Sequence, residues 1–431
     1  MKRLLRALAV LALAALLALF TLDLRQTPVD TGPKISFTAE GHGPLLAGAG
    51  QAEIHVPYPV VPAGYGPKDR HEVTSAAQPQ MARAIALQVG DAKLTLVSVD
   101  LLEIDSQLLE DLKPRLPKDA GDVWVCATHT HSGMGNYDPN LLAQIAGTGR
   151  FKREAREALL DAIASAVSLS AGSRAGAKAH VDEYDFLDKV RDRSASDDPP
   201  DAVLRALGFQ TSSSAIGLVD LAVHPTTWPR PATMLSADLP ALFTRNNQRP
   251  GYAWAAFFQG AVGNVAVREP LSPEVATPSL GATGRHREIL VDALATAEVD
   301  APLPSVEIHA GPGSARRAAS NLVDHLAAPH WATLSVAHLG SLTLIAVPGE
   351  PTAAAGRALR EAVGDKDALI LGLCNGYVGY IETPDRVEKG IGESPRQYYD
   401  SSLLSRFTSA ASLAGQSLGL PTRNQEPGTR N

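Results

Sequence analysis

Four apolar, strand-like runs in this chain each stop on a side chain able to hold a metal or move a proton. "DVWVCATH" ends at His129, "AIGLVDLAVH" at His224, "LTLIAVPGE" at Glu350, and "ALILGLCNGYVGY" at Tyr380. Between and around them lie stretches with helical spacing. "FKREAREALLDAIASAVSLSAG" carries Leu160, Ile163 and Val167 on one face, with Gly172 placed to end the helix. Helices are also expected near 285–297 ("RHREILVDALATA") and 352–363, the latter capped by Thr352. Strands alternating with helices predict a mixed α/β fold, with mixed β-sheets flanked by helices in a single large domain. Polar groups gathered where strands end are how such folds build sites.

The strongest of these strand ends is "THTHSG", residues 128–133. Alternation along a strand puts residues i and i+2 on the same side, so His129 and His131 are expected to face one point. Histidine is a common ligand of metals such as zinc, carboxylate is its usual companion, and a catalytic zinc keeps one position open for water. Only 12 histidines occur in the chain, and three fall at strand ends. "HPTT" at 224–227 and "PGEPT" at 348–352 are short corners that hold a side chain in place.

Composition narrows the function classes. With 45% hydrophobic residues a full core can form. The net charge of −7, with the signs interspersed, offers no basic stripe for nucleic acid. Cys126 and Cys374 both lie in apolar runs and read as two buried free thiols, a single bridge between them being the other reading.

The first residues, "MKRLLRALAVLALAALLALFTL", place Lys2, Arg3 and Arg6 before an uncharged run from Ala7 to Leu22. Residues 1–22 are read as a signal peptide or membrane anchor, an uncleaved anchor being favoured. The basic flank directs the rest of the chain outward, so the folded part is expected to be extracytoplasmic, periplasmic or at the cell surface. Residues 23–44 read as a linker, 45–420 as the folded domain and 421–431 as a flexible tail.

Five blocks in order, "THTHSGMGNY", "VHPTTWP", "FFQGAVGNVAV", "AVPGEPTAAAGRALR" and "NGYVGYIETP", resemble the neutral ceramidase family. The match spans roughly residues 47–415, and the family's blocks read approximately THTHSGPGG, HGTSM, QSNxGDVSPN, PGEFTTMAGRRLR and NxYxxYxTTPEEY. The resemblance implies a zinc-dependent hydrolase that cleaves the amide bond of an N-acylated, ceramide-like lipid with water activated by zinc (Zn2+). Carried over position by position, it implies metal ligands at His129, His224, Glu350 and Tyr380. It further implies catalytic groups at His131, at Arg193 in "DRSAS" and at Tyr399 in "QYYD", where Tyr398 leaves the register open. The chain departs from the pattern where Gly260 stands for the family's serine and Asn264 for its aspartate. It is also expected to hold the catalytic part without the family's C-terminal β-sandwich domain. Two other readings compete. One is a metal-dependent phosphoesterase, which needs a bridging carboxylate and a second metal; the other is an inactive member that binds a lipid or cell-envelope component.

Overall fold

The computed structural model describes residues 2–26, 28, 31–194, 198–244, 254–269, 271, 284–309 and 311–421. The chain folds as a mixed α/β domain around two β-sheets. The larger sheet has nine strands. Its path runs Trp254–Gln259, Ala215–Leu221, Val203–Thr211, Ala175–Asp185, Leu45–Glu53, Met81–Val89, Ala92–Val99 and Asp122–Ala127, with Arg285–Ile289 added beside Ala175–Asp185. The smaller sheet runs Lys34–His42, Ala293–Pro302, Trp331–Leu339, Leu342–Ala346 and Leu369–Leu371.

The pleat explains how these sheets stack. Along Met81–Val89, Ile85, Leu87 and Val89 point into one apolar cluster while Ala82 and Ala84 point into another. Along Leu342–Ala346, Leu342, Leu344 and Ala346 enter the first of those clusters, and Ile345 enters a third. The shared cluster is therefore the interface between the two sheets. The helix Arg153–Gly172 covers the outer face of the larger sheet, and Ala353–Val363 with Leu403–Ser417 covers that of the smaller. Four layers result, and central strands buried on both faces read as continuous apolar runs for that reason.

Several expectations need correction. The stretch 285–297 is not a helix: it forms the strands Arg285–Ile289 and Ala293–Pro302. Its Leu and Ala content favours helix locally, yet Ala293–Pro302 pairs antiparallel on both sides, with Lys34–His42 and with Trp331–Leu339. The supposed linker 23–44 contains that edge strand, Lys34–His42, whose side chains are mostly exposed and so lack an apolar signature. The two cysteines are not free thiols: Cys126 and Cys374 form a disulfide across 248 residues, joining the end of a strand of the larger sheet to the loop after Leu369–Leu371. Stacking of the sheets, which spacing alone does not reveal, brings them together. The Arg153–Gly172 helix ends as expected, though its capping residue is Ser173.

The N-terminal segment forms the helix Lys2–Thr21. Its C-terminal end docks on the helix Gly313–Leu326, where Asn321 donates to the carbonyls of Leu19 and Leu22 and Arg317 donates to that of Thr21. Among the described residues no helix is long and apolar enough to cross a membrane, so the expected span finds no support there. All but the first residue of the expected tail lie outside the described residues.

Candidate metal centre

The strand Asp122–Ala127 stops one residue before the first threonine of "THTHSG". His129 then takes a left-handed backbone, φ 65°. Convergence of the two histidines thus comes from a turn, not from strand alternation as the sequence predicts. A residue with a Cβ is strained in this conformation, and such strain is found where the surroundings hold it for a purpose.

Each imidazole is pinned by a backbone carbonyl. His129 Nδ1 meets the carbonyl of Leu102 at 2.8 Å, His131 Nδ1 that of Gly64 at 3.0 Å, and His224 Nδ1 that of Val265 at 3.1 Å. A carbonyl can only accept, so Nδ1 carries the proton and Nε2 the lone pair. All three Nε2 atoms point inward. His129 Nε2 lies 3.3 Å from His131 Nε2 and 3.2 Å from Glu350 Oε2, and His224 Nε2 lies 3.1 Å from the same oxygen. The hydroxyl of Tyr380 is 3.0 Å from His224 Nε2.

Glu350 and Tyr380 are placed by a two-residue parallel ladder in which they are direct partners, with Glu350 N–H donating to Gly379 O. Tyr377 donates to the other oxygen of Glu350 at 2.7 Å. Burial alone would push the Glu350 carboxyl up, but the His129 and His224 rings against it outweigh that and hold it well below the usual range. Burial also drives the His131 ring well below its ordinary value and His224 down to about 4, favouring neutral rings.

These donors fit a metal ion. His129, His131 and His224 form a group able to hold one, with ligand atoms all within 4.8 Å of one another. Glu350 adds a carboxylate oxygen 3.2 Å from His129 Nε2 and 3.1 Å from His224 Nε2. Donors at bonds of about 2.0–2.1 Å around a tetrahedral ion stand roughly 3.3 Å apart. The observed separations of 3.0–3.3 Å match that spacing. The carbonyl-bound Nδ1 atoms are the outer contacts that orient metal-binding histidines.

Arg193 reaches the same place from a loop. Its guanidinium donates to the Tyr380 hydroxyl at 2.7 Å and to Glu393 at 3.0 Å. Burial by itself would lower its pKa, but Tyr380 and Glu393 more than offset this and raise it. Tyr399 is not among these residues. Its hydroxyl donates to Pro329 O at 2.7 Å, and its ring is packed in the cluster beneath the outer helices. Tyr398 takes the inward position instead, 6.5 Å edge-on from the Tyr377 ring. Alternation along extended backbone turns neighbours to opposite sides, so a one-residue register error exchanges them.

Sequence reasoning missed several supporting groups. Gln259 donates to the carbonyls of Thr128 and Val223, bracing the two strand ends that carry His129 and His224. Glu393 sits in no motif. Tyr377 was visible in "NGYVGY", three residues before Tyr380. The departures from the family pattern have local explanations. A Cβ at Gly260 would meet Ala222 N at 3.0 Å and Asp220 Oδ1 at 3.1 Å, so a larger side chain is crowded there. Asn264 accepts from Ala353 N–H at 2.8 Å, at the start of the Ala353–Val363 helix.

No protein-family model matches the chain. Solved structures similar to it include two ceramidases. A neutral ceramidase from Pseudomonas aeruginosa matches with a TM-score of 0.72 and 18% identity, over 89% of this chain and 76% of that one. A ceramidase complexed with C2 matches with a TM-score of 0.69 and 17% identity, over 89% and 77%. The chain therefore has the neutral ceramidase fold that its sequence blocks resemble.

Proposed function

We propose that the chain is a zinc-dependent hydrolase cleaving the amide bond of an N-acylated, ceramide-like lipid. One observation carries the reading. The Nε2 lone pairs of His129 and His224 stand 3.2 and 3.1 Å from one oxygen of the buried Glu350 carboxylate, and such an arrangement repels unless a cation lies within it. The shared fold with ceramidases supports the choice of an amide over other bonds.

In this reading His129, His224, Glu350 and Tyr380 hold the ion, and zinc there supplies a Lewis acid and lowers the pKa of water. The protein's own residues do the rest. Arg193, fixed by Glu393, directs guanidinium N–H groups toward the place where charge develops on the carbonyl oxygen. His131 keeps its Nε2 lone pair free to take a proton from the attacking water and return it to the leaving nitrogen. Gln259 and Tyr377 keep the ligands in place, so little reorganisation accompanies the reaction. An extracytoplasmic location belongs to the same proposal, supported by the Cys126–Cys374 disulfide.

A two-metal phosphoesterase is the weaker reading, because among the described residues the histidines form one metal-capable group. Metal analysis and a cleavage assay test the proposal together. About one zinc per chain is expected, with release of free amine from N-acyl sphingosines that a chelator abolishes. Two metals per chain would favour the phosphoesterase. Bound metal without cleavage of any N-acyl lipid would leave a binding protein.

A further inference from the structure

We propose that Arg230 recognises a carboxylate on the amine half of the substrate, so that the preferred lipid amide is an N-acyl amino acid and not a neutral N-acyl alcohol. This rests on the amidase reading above and narrows its substrate class: N-acyl sphingosines, which lack a carboxylate, are then accepted but are the slower substrates.

Arg230 belongs to the loop that leaves His224. The loop is closed on itself near its start, and its far end is tied to the histidine turn. Asp238 accepts from the backbone N–H groups of Thr227 and Trp228 at 2.9 and 3.1 Å. Ser236 N–H donates to Ser132 O, and the Thr130 hydroxyl donates to Ser236 O, both at 2.8 Å. Within this frame the Arg230 guanidinium lies 3.9 Å over the ring of Tyr65, whose ring in turn lies 5.6 Å from that of His131. Those two contacts bound the distance from guanidinium to the His131 ring at about 10 Å.

The charge at this position is not neutralised elsewhere. Arg193, the other guanidinium of the site, is paired with Glu393. Among the described residues no carboxylate lies within ion-pair distance of Arg230, and its side chain is exposed. Asp238, the acidic group of the loop, accepts from Thr227 N–H and Trp228 N–H through one oxygen and from the Thr227 hydroxyl through the other. A ring face holds a guanidinium without neutralising it and leaves the N–H fork in the guanidinium plane for a bidentate anion.

Reach also fits. A carboxylate on the carbon next to the amide nitrogen lies roughly 4 Å from the scissile carbonyl by bond lengths. A guanidinium–carboxylate pair adds about 4 Å between carbons. Together these span about 8 Å, and the two ring contacts put the guanidinium no farther than about 10 Å from the His131 ring.

The test compares N-dodecanoylglycine, N-dodecanoylethanolamine and the phosphate ester of the latter, on the zinc-loaded full chain and its Arg230→Ala and Arg230→Lys variants. The ratio of kcat/KM for the glycine conjugate over the ethanolamide is expected to fall about 10- to 100-fold in Arg230→Ala. Arg230→Lys should recover part of it. Equal losses on both substrates, leaving the ratio unchanged, would mean that Arg230 only staples two loops, and the proposal fails. A higher ratio for the phosphate ester than for the glycine conjugate overturns the carboxylate assignment. Should wild type cleave none of the three, the amidase reading falls, and calorimetric binding decides for Arg230. Tighter binding of the glycine conjugate than of the ethanolamide, lost in Arg230→Ala, sustains the proposal; equal binding refutes it.

Discussion

Among the buried clusters of ionisable side chains in the described residues, two invite comparison, and of these two only one is built like a site. In the first, His129, His131, His224, Glu350 and Tyr380 aim lone pairs at a common point while backbone carbonyls and Tyr377 hold their outer atoms. In the second, Asp201, Arg205, Asp220 and Arg360 neutralise one another. Arg205 lies 3.5 Å from Asp201 and 3.6 Å from Asp220, and Arg360 lies 2.6 Å from Asp201. Burial and displaced pKa values occur in both: burial pushes Asp220 up to about 7 even with Arg205 beside it. What separates them is direction. The first cluster has unmet acceptors that converge, and the second has charges that cancel. Shifted titration alone does not mark function.

The largest expected effect breaks the first cluster. Under the proposed function, Glu350→Ala should abolish metal binding and lower amide hydrolysis by at least about 10³-fold, with the fold retained by circular dichroism. Retention of one zinc per chain and of activity would dissolve the contrast. In the second cluster, Arg205→Met leaves buried carboxylates without their cation and should cost about 3–5 kcal/mol of stability, read by denaturant unfolding. The folded fraction should keep its metal content.

A subtler prediction concerns pH. The folded-state pKa of Asp220 is raised above that of the unfolded chain, so the folded state binds more protons between the two values. Its contribution to stability is present below about pH 4 and is lost as pH rises toward about 7. Asp220→Asn should flatten the fall in thermal midpoint across that window, and an unaltered slope would remove Asp220 from the account. The smallest effect is the sharpest check on register. Tyr399→Phe should cost about 1 kcal/mol through the lost bond to Pro329 and leave metal content unchanged. Tyr398→Phe should act on turnover instead.

How much of this was legible in the sequence depended on distance along the chain. The "THTHSG" turn is local, so its chemistry could be read directly, although not its left-handed backbone at His129. His224, Glu350 and Tyr380 stood out because each follows an apolar run, whose strands end earlier, at Leu221, Ala346 and Leu371. Residues whose partners are set by stacking of the sheets carried no such signal. The Cys126–Cys374 pair spans 248 residues, and Glu393 meets Arg193 across 200. The Ala293–Pro302 strand was hidden by helix-favouring composition that its two neighbours override.

The disulfide bears on more than the core it crosses. Cys126 lies three residues before His129, and Cys374 three before Tyr377, so the covalent link sits directly behind both walls of the cage. One wall belongs to each sheet. Thermal breathing of the two sheets would first widen the gap between the imidazole of one and the carboxylate of the other, and the crosslink clamps the structure at that seam. Under the proposed function, a reducing milieu would therefore loosen the hold on the metal.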